Sequence, residues 1–163
     1  MEDSGWNNTG FDVTVLAHTA VTAAIAAAKS PPNLLDAPGL ELSVVLSGDE
    51  AVRAMNRDCR NKDKPTNVLS FATLDGDVFI HQETPFHLGD IILAFETLKK
   101  EAEEQDKRIE DHFTHLLVHG TLHLLGYDHM KINEAEEMES LEIHILKSLG
   151  IENPYKNMDS MPE

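Results

Sequence analysis

Residues 109–129 read IEDHFTHLLVHGTLHLLGYDH. Ile109, Phe113, Leu116, Leu117 and Leu124 recur at the spacing of one helix face, which predicts a helix over Ile109–Leu125. Gly126 stands where a helix-ending glycine would, free to take the left-handed conformation. Downstream, Met138, Leu141, Ile145 and Leu149 form one stripe of a second amphipathic helix over Ile132–Leu149, closed by Gly150. Upstream, Glu96–Gln105 is helical and highly charged. Leu88–Ala94 (LGDIILA) and Asn67–Thr73 (NVLSFAT) read as buried strands, with the turn chemistry of Asp75-Gly76-Asp77 between them. Leu40–Leu46 (LELSVVL) alternates and reads as a further strand. Ser47 is the expected N-cap of a helix over about Asp49–Arg60, with Glu50 as its capping partner. Asn61–Thr66 and Pro31–Gly39 read as loops. Phe11–Leu16 alternates weakly and suggests a short strand, before an Ala-rich helix over Ala17–Lys29 that Ser30-Pro31-Pro32 stops. Strands and helices are mixed without regular alternation. The expected fold is therefore α+β: one domain spanning residues 1–163, with one mixed sheet packed by helices.

With 163 residues and an apolar fraction of 41%, the chain can bury one core. Its one cysteine, Cys59, excludes an internal disulfide framework and a Cys-rich zinc module. A reducing compartment follows. The segment MEDSGWNNTG has neither the basic nor the apolar region of a signal peptide, and no apolar run is long enough to span a bilayer. A cytoplasmic protein is expected. The net charge of −16, from 13 basic and 29 acidic residues, counts against strong nucleic-acid binding. The distribution is uneven, however. Arg53, Arg57, Arg60, Lys62 and Lys64 form a local basic run. The acids gather in Glu96–Asp111 and Glu134–Glu142, where they read as solvated helix faces.

The chemistry lies in HGTLHLLGYDH. His119 and His123 are four apart on the predicted helix and project from one face. Gly126 lets the chain turn back, which brings His129 within reach of the same ion. Three neutral imidazoles with one open position are a catalytic zinc set. A lone histidine is more often a surface or satisfied core residue, but three at this spacing point to a metal. The spacing is that of HExxHxxGxxH metalloproteases. Those enzymes place a glutamate, their general base, after the first histidine. Here Gly120 stands at that position, so peptide hydrolysis loses its base while the metal ligands remain. His115, four residues before His119, could pair with it instead, or lie behind the ligands or at the surface. Asp128 either orients a ligand imidazole or ends the turn. His81, His87 and His144 are isolated. In CRNKDKPTNVLSF (59–71), Arg60 closes a predicted helix. Its guanidinium suits bidentate phosphate binding, although from spacing alone capping of helix carbonyls is the commoner role. Cys59 could serve as a nucleophile, but a small buried thiol is the commoner reading of such a residue.

HGTLHLLGYDH, NRDCRNKDKPTNVLSF and LGDI together resemble the YbeY family of bacterial endoribonucleases, in the family's order and over a core of about residues 40–149. The resemblance implies an α+β fold with a metal at the end of a central helix. It also implies a single-strand-specific, metal-dependent endoribonuclease in 16S rRNA 3′-end maturation and ribosome quality control. It assigns His119, His123 and His129 as ligands of one Zn²⁺ and Arg60 as the functional arginine. A small-subunit ribosomal protein and an Era-type GTPase are the implied protein partners, beside single-stranded RNA. The family more often carries an aromatic residue where Cys59 stands. The competing readings are a zinc hydrolase on another substrate and a non-enzymatic assembly factor with a structural metal. An open coordination position separates the enzyme from the latter.

Overall fold

In the computed structural model, residues 6, 10–27, 40–64, 66–72, 86–127 and 132–154 are described, without the side chains of residues 60, 86 and 132–134. Three strands form one mixed sheet: β1 (Leu40–Ser47), β2 (Val68–Ala72) and β3 (Phe86–Ala94). The order is β1-β3-β2, with β1 parallel and β2 antiparallel to the central β3. The two-residue period of the strands sorts their side chains onto two faces. Val44, Leu46, Val68, Ile91 and Leu93 join the main core on one face. Val45, Leu69, Phe71 and Ile92 point the other way, into a smaller cluster closed by Val52 and Met55 of α2 (Asp49–Arg60).

The main core is organised by α4 (Ile109–Leu124), which packs against α1 (Val13–Ala27), α3 (Phe95–Glu104), α5 (Ile132–Ser148), β2 and β3. Every residue of α4 from His112 to Leu122 is buried. Phe113, Leu116, Leu117, Leu122 and Leu124 have no exposed surface. Each contributes roughly 1.5–3 kcal/mol of burial, so the central helix is held by its own side chains. It ends as the sequence predicts. Gly126 takes φ +103°, its N–H donates to the His123 carbonyl, and the Tyr127 N–H donates to the Leu122 carbonyl. That is the paired hydrogen bonding of a glycine C-terminus. α5 closes in the same way at Gly150.

Two sequence expectations fail here. Phe11–Leu16 is not a strand, because α1 begins at Val13. Asp12 decides this. Its Oδ1 accepts the N–H groups of Thr14 and Val15, both at 3.1 Å, so the β-branched Val13-Thr14-Val15 run forms the first turn of a capped helix. Ser47 does not cap α2. It ends β1, and its carbonyl accepts the buried Trp6 indole N–H at 2.9 Å. The N-cap position of α2 is Gly48, which has no side chain to offer. The cap comes from another element: Glu96 Oε2 accepts the Asp49 N–H at 2.8 Å. Asp49 Oδ1 in turn accepts the Thr97 N–H at 3.0 Å and its hydroxyl at 2.7 Å. Neighbouring helix starts thus cap each other, a pairing invisible to local sequence. The expected turn at Asp75–Asp77 and the loop at Pro31–Gly39 lie outside the described residues. No helix among the described residues is long and apolar enough to cross a membrane.

Candidate metal centre

Three tight approaches bring the motif blocks together. Gly120 of α4 lies over the sheet, where a methyl group would come within 3.1 Å of the Ser70 hydroxyl and 3.2 Å of Ile91. Gly89 in β3 sits at a register shift against β1, with φ +145°. A methyl group there would meet the Phe71 carbonyl oxygen at 2.2 Å and Leu124 at 2.9 Å. The glycine of LGDI, the serine of PTNVLSF and the glycine of HGTLH are therefore one packing arrangement. It seats α4 on the sheet. Asn67 adds a polar tie. Its amide donates to Glu101 Oε1 at 2.9 Å, and the same oxygen lies 2.9 Å from His112 Nε2 on α4. Burial raises the Glu101 pKa, but hydrogen bonds from His112 and Asn67 outweigh it and hold the carboxyl below its ordinary range.

Seated this way, α4 carries His112, His115, His119 and His123 along one side. The ring centroids of His115 and His119 are 6.3 Å apart, whereas those of His119 and His123 are 4.6 Å apart and nearly perpendicular. His119 Nε2 and His123 Nε2 face each other at 3.1 Å. Two imidazoles on one tetrahedral zinc, each about 2.0–2.1 Å from it, place their nitrogens about 3.3 Å apart. The spacing of the pair is compatible with a shared ion. His123 is half-buried and His119 fully buried, so the pair opens outward at the end of the helix. His115 turns elsewhere, with its Nε2 3.4 Å from Glu142 Oε2. Of the two pairings open in the sequence, His119 with His123 is the one that converges.

Sequence reasoning missed Glu142. It stands on α5 with no exposed surface, and His119 Nδ1 is in hydrogen-bond contact with its Oε1. Burial pushes the Glu142 pKa up, yet the hydrogen bonds from His115 and His119 pull it down to about 2. Burial likewise holds His115 below the ordinary histidine range, against the opposing pull of Glu142. The signal was present: Glu142 falls within the stripe of Met138, Leu141 and Ile145, where a solvated acid does not belong.

His129 and Asp128 lie outside the described residues. Among the described residues, no group of three His, Cys, Asp or Glu side chains is arranged to hold a metal ion. Arg60 is the last residue of α2, directly before Asn61, whose left-handed φ of 57° ends the helix. The loop that follows is pinned by Asn56, whose amide donates to the Lys64 carbonyl at 2.9 Å. Cys59 is exposed rather than buried. α2 buries Val52 and Asn56, but its last turn runs past the core and leaves Arg57, Asp58 and Cys59 in solvent. The basic run is partly answered within itself: Arg53 pairs with Asp63 at 2.8 Å and Arg57 with Asp58 at 3.1 Å.

The family model of endoribonuclease YbeY matches residues 7–150 of this chain. The chain belongs to the endoribonuclease YbeY family. An endoribonuclease YbeY from Paramagnetospirillum magneticum is 58% identical over 117 residues, which are 71% of this chain and 71% of that protein. One from Magnetococcus marinus is 56% identical over 122 residues, covering 71% of this chain and 83% of its own. One from Rhodospirillum rubrum is 49% identical over 146 residues, 88% of this chain and 72% of its own. A solution structure of a Thermotoga maritima protein aligns over 93% of this chain and 91% of its own, at 18% identity and a TM-score of 0.49. The YbeY match spans α4 and both upstream motif blocks, so the glycine-seated helix and its histidines lie within the family's region.

Proposed function

We propose that this chain is a zinc-dependent, single-strand-specific endoribonuclease of 16S rRNA 3′-end maturation and ribosome quality control. In this reading His119, His123 and His129 hold one Zn²⁺ and Arg60 grips the scissile phosphate. The observation that carries it is the 3.1 Å approach of His119 Nε2 to His123 Nε2 at the outer end of a buried helix. When bound, the ion supplies either a hydroxide at neutral pH or polarisation of a phosphoryl oxygen. The protein's share is positional. α4 carries the two imidazoles on a buried helix packed closely on the sheet at Gly120. Arg60 offers a planar fork of donors matched to phosphate, and its charge counters the charge that develops on the phosphoryl oxygens. With Gly120 after His119 the chain lacks the glutamate that serves metalloproteases as general base, which counts against a peptide as substrate.

The net charge of −16 opposes RNA at long range. Lys62 and Lys64 are exposed beside Arg60 and offset it locally. Weak intrinsic affinity is expected, with delivery of the substrate by a small-subunit ribosomal protein or an Era-type GTPase in the cytoplasm. The test is cleavage of a single-stranded RNA by the wild type and by Arg60→Glu, with the zinc content of each measured alongside. Loss of cleavage at unchanged zinc supports the reading. Wild-type cleavage by Arg60→Glu overturns the phosphate role.

A further inference from the structure

We propose that Glu142 is a positioning residue: it locks the His119 imidazole in the one tautomer and orientation that presents Nε2 to the metal. The proposal rests on the metal reading above.

A carboxylate buried without compensation costs several kcal/mol, and an apolar side chain would complete the α5 stripe between Leu141 and Ile145 more cheaply. The chain keeps a glutamate there, and both of its oxygens are engaged. Oε1 meets His119 Nδ1, and Oε2 lies 3.4 Å from His115 Nε2. With His115 at one oxygen, rotation of the carboxylate away from the other is opposed. A carboxylate only accepts, so the proton between it and His119 sits on Nδ1. The lone pair of the neutral ring is then left on Nε2. That atom faces His123 Nε2. Reversing the His119 ring would bury Nε2 against Glu142 and aim Nδ1 outward, and the paired oxygens oppose this. His115 thereby gains a role that its spacing alone left open: it braces the carboxylate rather than ligating the ion.

The test measures Zn²⁺ affinity by chelator competition at fixed pH for the wild type, Glu142→Gln and Glu142→Asp. Two-dimensional ¹H–¹⁵N spectra of the histidine rings are recorded beside it. The wild type should show His119 protonated at Nδ1 with and without zinc. Glu142→Gln should bind zinc roughly 10–100-fold more weakly and lose the single His119 tautomer. Glu142→Asp, which keeps the charge on a shorter arm, should recover part of the affinity. A purely structural glutamate would lower the melting temperature of the metal-free protein and leave the affinity of the folded fraction unchanged. Wild-type affinity in Glu142→Gln overturns the positioning role while the metal reading stands. Failure of the wild type to bind zinc overturns both. Should Glu142→Gln not fold, the wild-type spectrum still decides, because a His119 proton found on Nε2 in the metal-free protein contradicts the proposal.

Discussion

At the scale of single residues, two features of the packing bear on the proposed site. His119 is fully buried and His123 half-buried, yet their Nε2 atoms meet. His123→Ala should therefore lose the metal and the cleavage activity without unfolding the domain, because Leu116, Leu117, Leu122 and Leu124 anchor the helix independently. Circular dichroism of the variant should match that of the wild type. An unfolded variant would make the metal structural instead. Gly120 occupies the position where a metalloprotease has its base, and a methyl group there would already sit tight against Ser70 and Ile91, at 3.1 and 3.2 Å. Gly120→Glu would drive a carboxylate against Ser70 and Ile91. It should fail to accumulate as folded protein, losing more than about 3 kcal/mol by overpacking and uncompensated burial. A Gly120→Glu variant as resistant to urea as the wild type would show that α4 does not sit on the sheet in this way. The histidine spacing was legible because i, i+4 geometry is local. The place of Glu142 in an apolar stripe was legible too, but its histidine partners were not, because they are 23 and 27 residues away in the chain.

At the scale of elements, the sequence was most legible where period and punctuation agree. α4, α5, β1 and β2 fall close to where their patterns place them. The errors came where a side chain from elsewhere sets the boundary, as Glu96 and Asp49 do for the starts of α2 and α3, or where one cap outweighs a run of β-branched residues, as at Asp12. The tie among β2, α3 and α4 makes a pH prediction. The Glu101 carboxyl is held below its ordinary value of 4.5 in the folded state. Its contribution is complete above that value and is lost as the pH falls through the lowered one. Glu101→Gln should cost about 1 kcal/mol at neutral pH, because the carboxylate is partly solvated. The difference from wild type should shrink on acidification below 4.5. Urea titrations of both proteins across that range would reveal it, and a gap that stays constant with pH would contradict it. Gly89→Ala should cost at least about 2 kcal/mol, since its methyl group would collide with the Phe71 carbonyl at a φ that disfavours a side chain.

At the scale of the whole molecule, the three blocks quoted for the family resemblance are far apart in sequence and meet in one packing arrangement. Ser70 and Gly89 seat the helix that carries His119 and His123. What pattern reading could not supply was the contact between blocks, since no periodicity records that Gly120 rests on Ser70 and Ile91. Arg60 ends α2 just before the pinned loop, and Arg60→Lys should keep only part of the RNA cleavage, because an ammonium retains charge but not the fork. In the proposed function, RNA cleavage depends on a metal ion bound at this histidine site. The most direct test is the cleavage of a single-stranded RNA by protein stripped with chelator, before and after one equivalent of Zn²⁺ is restored. The stripped protein should not cleave, and activity should return on adding zinc. Undiminished cleavage by protein verified as metal-free would contradict that dependence.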